Sequence, residues 1–391
     1  MSHLTTCTIA VLTIPHALLA ADAGHRDRLG VVRAYADCLL AKGRDRYGSV
    51  HSPLFAEALD RETLDILSGG RLRQAEAIWR DQWGLRPHDR MLGGANPQHC
   101  QNLFQILYAL TAITGEQEYA KEADRSLRWF LEHCQSSKTG LFYWGEHAGW
   151  DLGHDKPGDY ASGNTHEFFR PWVLWDRCWK LSPDACRRFA LGLWEHQVAD
   201  HETGDYSRHA SIDRHGPGRG SPYPRHGGFY VLTWAKAYQH TGDAVFIEAI
   251  RTVVDGLERD SQGGGMVVSR DRKSGARRPF DVSLAISLDA AAPLLPEDLA
   301  AELRKTADRN DRAAGVSRPC RPFRQPGRGV VPRRLPAAQG IPRTQSLRGY
   351  LGGRHANDGS AEAMGSATRA DQEGGSSIHR PMNNHWKSRR S

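Results

Sequence analysis

Residues 98–134 read QHCQNLFQILYALTAITG followed by EQEYAKEADRSLRWFLEHC, and this stretch decides the fold. In its first half, apolar residues recur at the spacing of one helix face until Gly115, a residue typical of helix ends. The second half begins with acidic residues, which favour a helix start, and its apolar residues recur at the same spacing. The stretch therefore predicts one antiparallel helical hairpin.

The hairpin recurs along the chain. Residues 227–258, GGFYVLTWAKAYQHTGDAVFIEAIRTVVDGLE, repeat the helix, the Thr-Gly pair, the acidic residue and the second helix, with Phe246 in register with Tyr119. Between them, HEFFRPWVLWDRCWKL and SPDACRRFALGLWEHQVAD predict a third pair, in which Ser182-Pro183 suits a helix start. Strand patterns are few, so the repeat predicts an all-α chain.

Helical hairpins that repeat in this way pack side by side into a ring. Residues 27–308 hold too few of them to close it. The fold class predicted for this range is therefore all-α, an incomplete (α/α) toroid that forms a catalytic-type domain.

The basic pI, near 9.1, comes from the end of the chain. Residues 309–391 contain 16 of the 52 Lys and Arg but only 5 of the 45 Asp and Glu, which leaves residues 1–308 mildly acidic. A nucleic-acid partner is therefore not expected. This segment has no periodic apolar pattern, so we expect a disordered tail. It could be a basic arm or a plain tail, but its abrupt start inside a helical pattern favours an out-of-frame reading and hence a truncated domain.

The first residues, MSHLTTCTIAVLTIPHALLAADAG, combine an apolar stretch with small residues near its end. Residues 1–23 therefore suggest a signal peptide and a secreted or periplasmic protein, although no Lys or Arg precedes the apolar stretch and a buried first helix is the alternative. No apolar run is long enough for stable membrane insertion. The seven cysteines lack the close paired spacing of a zinc site or a disulfide framework.

Two connections between helices are dense in polar and aromatic residues. They are residues 139–172 and residues 200–230. Aromatic faces stack on sugar rings, while Arg, His and acidic groups serve carboxylates, metals and proton transfer. A cleft for an acidic polysaccharide or oligosaccharide is the function these loops indicate.

The series His147, Glu167 and then Arg208-His209 resembles, in its spacing, the site of the family 2 pectate lyases. That family is an α/α toroid that cleaves pectate by β-elimination. The resemblance implies that His147, Glu167 and His209 hold a divalent transition metal and that Arg208 is the base. Two imidazoles and a carboxylate suit Mn, Co, Ni or Zn. A guanidinium normally stays protonated, so a carboxylate clamp is the other role for Arg208.

The other candidate residues come from the same two connections. Those with a catalytic role join Arg208 and are Tyr206, His166, Arg225 and His226, and those expected to bind substrate are Trp144, Trp150, Asp151, Asn164, Arg170 and Tyr230. The tryptophans at 172, 175, 179 and 194 lie at helical spacings and are expected in the core. An ordinary helical ion pair with Arg170 is the plain alternative for Glu167.

Other chemistries stay open. A metal-free lyase would use Asn164, His166 and either Tyr206 or Tyr230 to neutralise, deprotonate and protonate the substrate. A glycoside hydrolase of the six-hairpin type needs two carboxylates across a cleft, for which Glu146, Asp151 and Glu167 are available. A sugar epimerase or an inactive remnant of a truncated domain is the third class.

Overall fold

The computed structural model describes residues 28–83, 91–158, 167–209, 211–214, 216, 223–261, 267, 269–270, 277–278 and 283–313. The chain divides into two units at Pro322, and all described residues belong to the first. The helices are α1 Arg28–Lys42, α2 Gly69–Trp83, α3 Gln101–Thr114, α4 Gln117–His133, α5 Trp175–Leu181, α6 Pro183–Gln197, α7 Pro224–Thr241, α8 Ala244–Asp260, α9 Ser283–Ala291 and α10 Glu297–Ala313.

The predicted hairpins are confirmed as α3–α4, α5–α6 and α7–α8, and α9–α10 adds a fourth. Gly115 and Gly242 end the first helices of two of them with a left-handed backbone. The third hairpin differs from the prediction, because α5 begins at Trp175 rather than near His166. Pro171 explains the late start, since proline lacks a backbone donor and disfavours helical geometry in the residue before it.

The hairpins form two layers. One layer contains α1 and the first helix of each hairpin: α1 packs on α3, α5 on α7, and α7 on α9. The other layer contains the second helices: α4 packs on α6, and α8 on α10. This alternation is the arrangement of an (α/α) toroid, so the described helices form an arc of one. The predicted all-α incomplete toroid is confirmed.

Aromatic rings fill the middle of the arc. Trp172, Trp175, Trp179 and Trp194 are all buried, as the sequence predicts. Trp144 lies among them, with its ring centroid 5.1 Å from that of Trp172. The core is therefore continuous from the helices into the start of the connection after α4.

Each of two connections begins with a Thr-Gly turn that locks onto the next hairpin. A Cβ added at Gly140 would lie 2.6 Å from the carbonyl oxygen of Arg188 on α6, and one at Gly204 would lie 2.0 Å from that of Thr252 on α8. The two pairs have the same separation along the chain, so the interlock belongs to the repeat. It fixes where each connection leaves the helical layers.

The strands are short ladders in the connections. They are β1 Gly94–Ala95, β2 Trp150–Asp151, β3 Lys156–Pro157, β4 Val198–Asp200, β5 Asp205–Tyr206, β6 Ser269–Arg270 and β7 Arg277–Arg278. The first three form one antiparallel sheet, and β4–β5 and β6–β7 are antiparallel pairs. Within the described residues, no helix is long and apolar enough to span a membrane.

Candidate functional site

The turn before α3 holds the loop that carries His147. The side-chain amide of Asn96 donates to the carbonyl oxygens of Gly145 at 2.8 Å and Ala148 at 2.6 Å. Asn96 is fully buried, and these two carbonyl oxygens accept both of its amide hydrogens. The backbone on either side of His147 is therefore fixed to the start of α3.

The same turn holds the segment of Glu167. The side-chain amide of Gln98 donates to the carbonyl oxygen of Glu167 at 2.8 Å, and its Oε1 accepts the backbone N–H of Phe169 at 2.6 Å. Gln98 is also fully buried, and its own N–H donates to Asn96 Oδ1. Two predicted metal ligands are thus attached through backbone contacts to one turn.

The carboxyl of Glu167 is buried, and one of its two oxygens has a hydrogen-bond partner. Its side chain is not on a helix, and its Oε2 lies 2.8 Å from the Tyr230 hydroxyl. Its Oε1 is buried and has no hydrogen-bond partner among the described residues. The alternative for Glu167, a helical ion pair with Arg170, is not formed, and the contact with Tyr230 takes its place. A buried carboxylate oxygen without a donor is costly unless a cation or a proton reaches it.

Tyr230 links Glu167 to the next connection. Its hydroxyl lies 2.9 Å from the carbonyl oxygen of Ser207, the residue before Arg208. Because one hydroxyl hydrogen cannot satisfy two acceptors, a neutral Glu167 that donates to the Tyr230 oxygen completes the chain. Burial raises the pKa of Glu167 well above its ordinary value, in agreement with this arrangement.

Arg208 lies on an aromatic face. Its guanidinium carbon is 3.8 Å from the centre of the Tyr223 ring, and that of Arg225 is 5.5 Å from the same ring. The Tyr206 hydroxyl donates to the Tyr223 carbonyl oxygen at 2.6 Å, which holds this tyrosine in place. Two cations around one ring form a positive site that suits a carboxylate ligand.

His147 and His209 are half-buried on separate connections. His147 Nε2 lies 3.7 Å from Glu146 Oε2, and the His209 backbone N–H donates to the Ser207 hydroxyl. Among the described residues, no three His, Cys, Asp or Glu side chains are gathered closely enough to hold a metal ion. The unsatisfied Glu167 Oε1 and the two imidazoles nevertheless have the donor chemistry of a transition-metal site.

Three aromatic candidate residues are too buried for the predicted roles. Trp144 is 1% exposed and packs among core aromatic rings, so its assignment to sugar stacking is wrong. Tyr230 is fully buried and holds Glu167, so it does not bind substrate directly. Tyr206 is 4% exposed and its hydroxyl braces Tyr223. The sequence pattern could not separate these aromatic residues from exposed ones.

The remaining candidates are placed as follows. Trp150 is half-buried against Trp129, and Asp151 caps the turn after it through the N–H groups of Gly153 and His154. Arg170 reaches Asn102. His226 lies in the first turn of α7 and is 1% exposed, so it is too buried for the predicted catalytic role. Asn164 and His166 lie outside the described residues.

Two sets of residues at the site were missed from the sequence. Asn96, Gln98 and Tyr223 act through contacts that only the fold creates. The His99 Nδ1 lies 2.7 Å from Glu57 Oε1, and both side chains are buried. A polar Asn-Pro-Gln-His run directly before a predicted helix is the sequence signal that could have directed attention to this turn.

Comparison with known proteins gives a family match over part of the chain. Residues 80–226 match the model of a family described as periplasmic pectate lyase. His147, Glu167, Arg208 and His209 all lie within that range. The resemblance to family 2 pectate lyases predicted from their spacing is confirmed over these residues.

A pectate disaccharide-lyase of Dickeya dadantii (strain 3937) is 25% identical over 164 residues, and the alignment covers 42% of this chain and only 27% of the relative's length. Two solved structures are similar at lower identity. An unsaturated glucuronyl hydrolase from Bacillus sp. GL1 is 14% identical, with 73% of this chain and 84% of that chain covered and a TM-score of 0.39. A sugar epimerase from a ruminal bacterium is 11% identical, with 73% and 71% covered and a TM-score of 0.43.

Proposed function

We propose that this chain binds an acidic, uronate-containing polysaccharide and cleaves it by β-elimination, as a pectate lyase. The observation that carries the proposal is the buried Glu167, whose Oε1 has no partner among the described residues and whose Oε2 is tied through Tyr230 to the segment of Arg208 and His209. The family match over residues 80–226 and the name of the Dickeya relative support this reaction and this class of substrate.

In this proposal His147, Glu167 and His209 hold a divalent transition metal such as Mn, Co, Ni or Zn. When bound, the metal would draw charge from the uronate carboxylate and so acidify the C5 proton. The Tyr223 ring stabilises the charged form of Arg208, which favours Arg208 as the clamp of that carboxylate in this geometry. Elimination moves the C5 proton to a base, forms the C4–C5 double bond and breaks the C4–O bond, and the leaving oxygen takes up a proton to become the new hydroxyl of the released sugar.

A hydrolase needs an acid and a second carboxylate across a cleft. Asp151 is poorly suited to either role, because its Oδ1 accepts two backbone N–H groups and its Oδ2 lies 2.8 Å from His154 Nδ1. Glu167 is buried against Tyr230. Of the three carboxylates that the sequence offers a hydrolase, this leaves Glu146, which is 13% exposed. One carboxylate does not make the required pair, so these contacts favour the lyase.

We also propose that the protein is periplasmic or secreted. The description of the matched family and the signal-like residues 1–23 support this location. Recovery of the full chain from the cytoplasm alone, after expression in a Gram-negative host and cell fractionation, would contradict it.

The direct test is ultraviolet absorbance during incubation with polygalacturonate, with and without added Mn²⁺. β-Elimination produces an unsaturated uronate that absorbs ultraviolet light, so we expect this absorbance to rise only when the metal is added. New reducing ends without absorbance would show a hydrolase, and the absence of both products on several uronate polymers would contradict catalysis by this chain.

A further inference from the structure

We propose that a surface groove along α4 is a second binding site for an acidic oligosaccharide, outside the candidate site and without a catalytic role. The class of ligand rests on the proposed function, whereas the place of the site rests on the side chains and contacts of α4. The groove would hold a uronate polymer beside the connection that carries His147.

The groove follows one face of α4 and has a volume of about 410 Å³. Its residues on α4 recur at helical spacing over about 17 Å of the helix axis, and the opposite face of α4 is buried in the core. They are Lys121, Asp124, Arg125, Arg128, Trp129 and Glu132. None of these six residues belongs to the candidate site, so the groove is a separate feature of the surface.

Pro53 forms the wall of the groove that does not belong to α4. The Arg44 guanidinium donates to the Pro53 carbonyl oxygen and forms an ion pair with Glu122 of α4, and its carbon lies 3.8 Å from the centre of the Phe55 ring. Pro53 is therefore tied to α4 through a half-buried arginine. The groove exists before any ligand arrives, which lowers the entropic cost of binding.

Acidic groups on this part of α4 are engaged by groups outside the groove. Asp124 accepts the Tyr108 hydroxyl at 2.8 Å and the Arg177 Nε–H at 2.6 Å. Glu122 forms its ion pair with Arg44. The negative charge of both carboxylates is therefore largely compensated.

Three cations of the groove are exposed, namely Lys121, Arg125 and Arg128. Their ion pairs with carboxylates of α4 are 4.0 Å, 3.3 Å and 4.0 Å long. Exposed pairs of this kind contribute little, so a ligand carboxylate can replace them at small cost. Within the lining, only Glu132 then opposes the three cations, and the groove is positive although residues 1–308 are mildly acidic as a whole.

Trp129 supplies an aromatic surface at the same place. It is half-buried, its ring stacks on that of His133 at 4.5 Å between centroids, and the Trp150 ring lies nearly perpendicular to it at 5.8 Å. These neighbours fix the indole, and the part of it that lines the groove can pack against the apolar face of a sugar. An aromatic surface next to three cations suits a sugar chain with a carboxylate on each unit better than a small inorganic anion, which has no apolar face.

The groove adjoins the connection after α4. Trp150, which contacts Trp129, lies in β2, three residues after His147. The sequence predicts that Trp150 binds substrate, and its contact with Trp129 brings it next to the groove. A polymer held on α4 therefore stays close to the candidate site, which should lower the KM for long chains and leave kcat unchanged.

The test uses native gels of the full chain cast with polygalacturonate, without added divalent metal, in which a protein that binds the polymer is retarded. Arg125→Gln combined with Arg128→Gln should weaken the affinity roughly 3–10-fold, because two carboxylate contacts are lost. Arg251→Gln combined with Arg304→Gln is the matched control, since these side chains on other helices are 43% and 45% exposed, each forms an ion pair, and the change in charge is the same. This control should be retarded as much as the unaltered chain.

Glu132→Gln removes the acid that opposes these cations and should strengthen the affinity roughly 2–5-fold. A gain of affinity cannot result from a loss of folding, so this variant decides the matter if the double arginine variant of the groove is unstable. Methyl-esterified polygalacturonate lacks most of the carboxylate charges, so it should retard the unaltered chain and these variants equally.

Hydroxyl-radical footprinting with mass spectrometry locates the ligand. Oligogalacturonate should slow the oxidation of Trp129 several-fold in the unaltered chain, and much less at the same concentration in the variant that lacks Arg125 and Arg128. Equal retardation of the two double variants by polygalacturonate, or oxidation of Trp129 that the ligand does not change, would overturn the groove.

The ultraviolet assay separates this failure from failure of the proposed function. Product formation together with equal retardation of the double variants would leave the elimination in place without the groove. Retardation that depends on Arg125 and Arg128, without any ultraviolet product, would support the groove and contradict the elimination.

Discussion

Replacing Glu167 by Gln should abolish Mn²⁺ uptake and uronate cleavage and at the same time make the metal-free protein more stable at neutral and higher pH. The loss of function follows from removing the anionic ligand, and it should exceed the roughly 10–100-fold cost of disturbing a group behind a ligand. The gain in stability follows from removing a buried carboxyl that lacks a donor at Oε1.

The pH dependence has a definite sign. Burial raises the pKa of Glu167 in the folded chain above its value in the unfolded chain. The stability contributed by the protonated carboxyl is therefore present below the unfolded pKa and is lost as pH rises through the folded pKa. Between these limits, the free energy of unfolding of the unaltered chain should fall relative to Glu167→Gln by up to about 1.4 kcal/mol per pH unit.

His209→Ala is the comparison variant. It should also lose metal uptake and turnover together, but without the gain in stability, since His209 is only half-buried and carries no comparable penalty. Urea unfolding of the metal-free proteins at a series of pH values, with Mn²⁺ titration and the absorbance assay, measures all three effects. Full activity and full metal uptake in Glu167→Gln or in His209→Ala would remove that residue from the ligand set.

The helical hairpins could be predicted because their signals are local. Apolar spacing, acidic first turns and Gly115 all act within a few residues, and α3 and α4 begin and end close to the predicted positions. The start of α5 was misplaced because the apolar pattern runs on through Pro171, whose effect on the backbone outweighs the pattern.

The site was predictable only in part. The spacing of His147, Glu167, Arg208 and His209 could be read from the chain, and the family match covers all four. Burial could not be read in the same way, because an aromatic residue in a loop has no periodicity to show which side it faces. The sequence therefore predicts that Trp144 stacks on a sugar ring, although Trp144 is a core residue.

The contacts that organise the site have large sequence separations. Gln98 reaches residues 167–169, and Tyr230 joins Glu167 to Ser207, so no local pattern reports them. The interlock of Gly204 with α8 is of the same kind, although here the repeat makes it visible once the fold is known. Such contacts are also where a single substitution has the largest structural effect.

Gly204→Ala should destabilise the chain more than any other glycine substitution at a helix or turn end. Two costs coincide there: a left-handed backbone with φ of 69°, and a Cβ that would lie 2.0 Å from the Thr252 carbonyl oxygen. The clashing atom is a backbone oxygen of α8, so the clash cannot be relieved by moving a flexible side chain. The next residue of α8, Val253, is fully buried. The turn would have to move away from α8.

Gly242→Ala separates the two costs, because Gly242 has a similar φ of 73° but nothing within 4 Å of an added Cβ. We expect this control to lose only the backbone term, about 1–2 kcal/mol, and Gly204→Ala to lose on the order of 4 kcal/mol or more. Urea unfolding followed by circular dichroism measures both. Because β5 and then Arg208 follow Gly204 directly, the displaced turn should also weaken Mn²⁺ binding in Gly204→Ala and leave it unchanged in Gly242→Ala. Equal losses of stability in the two variants would show that α8 yields to the added methyl group and that the interlock does not fix this connection.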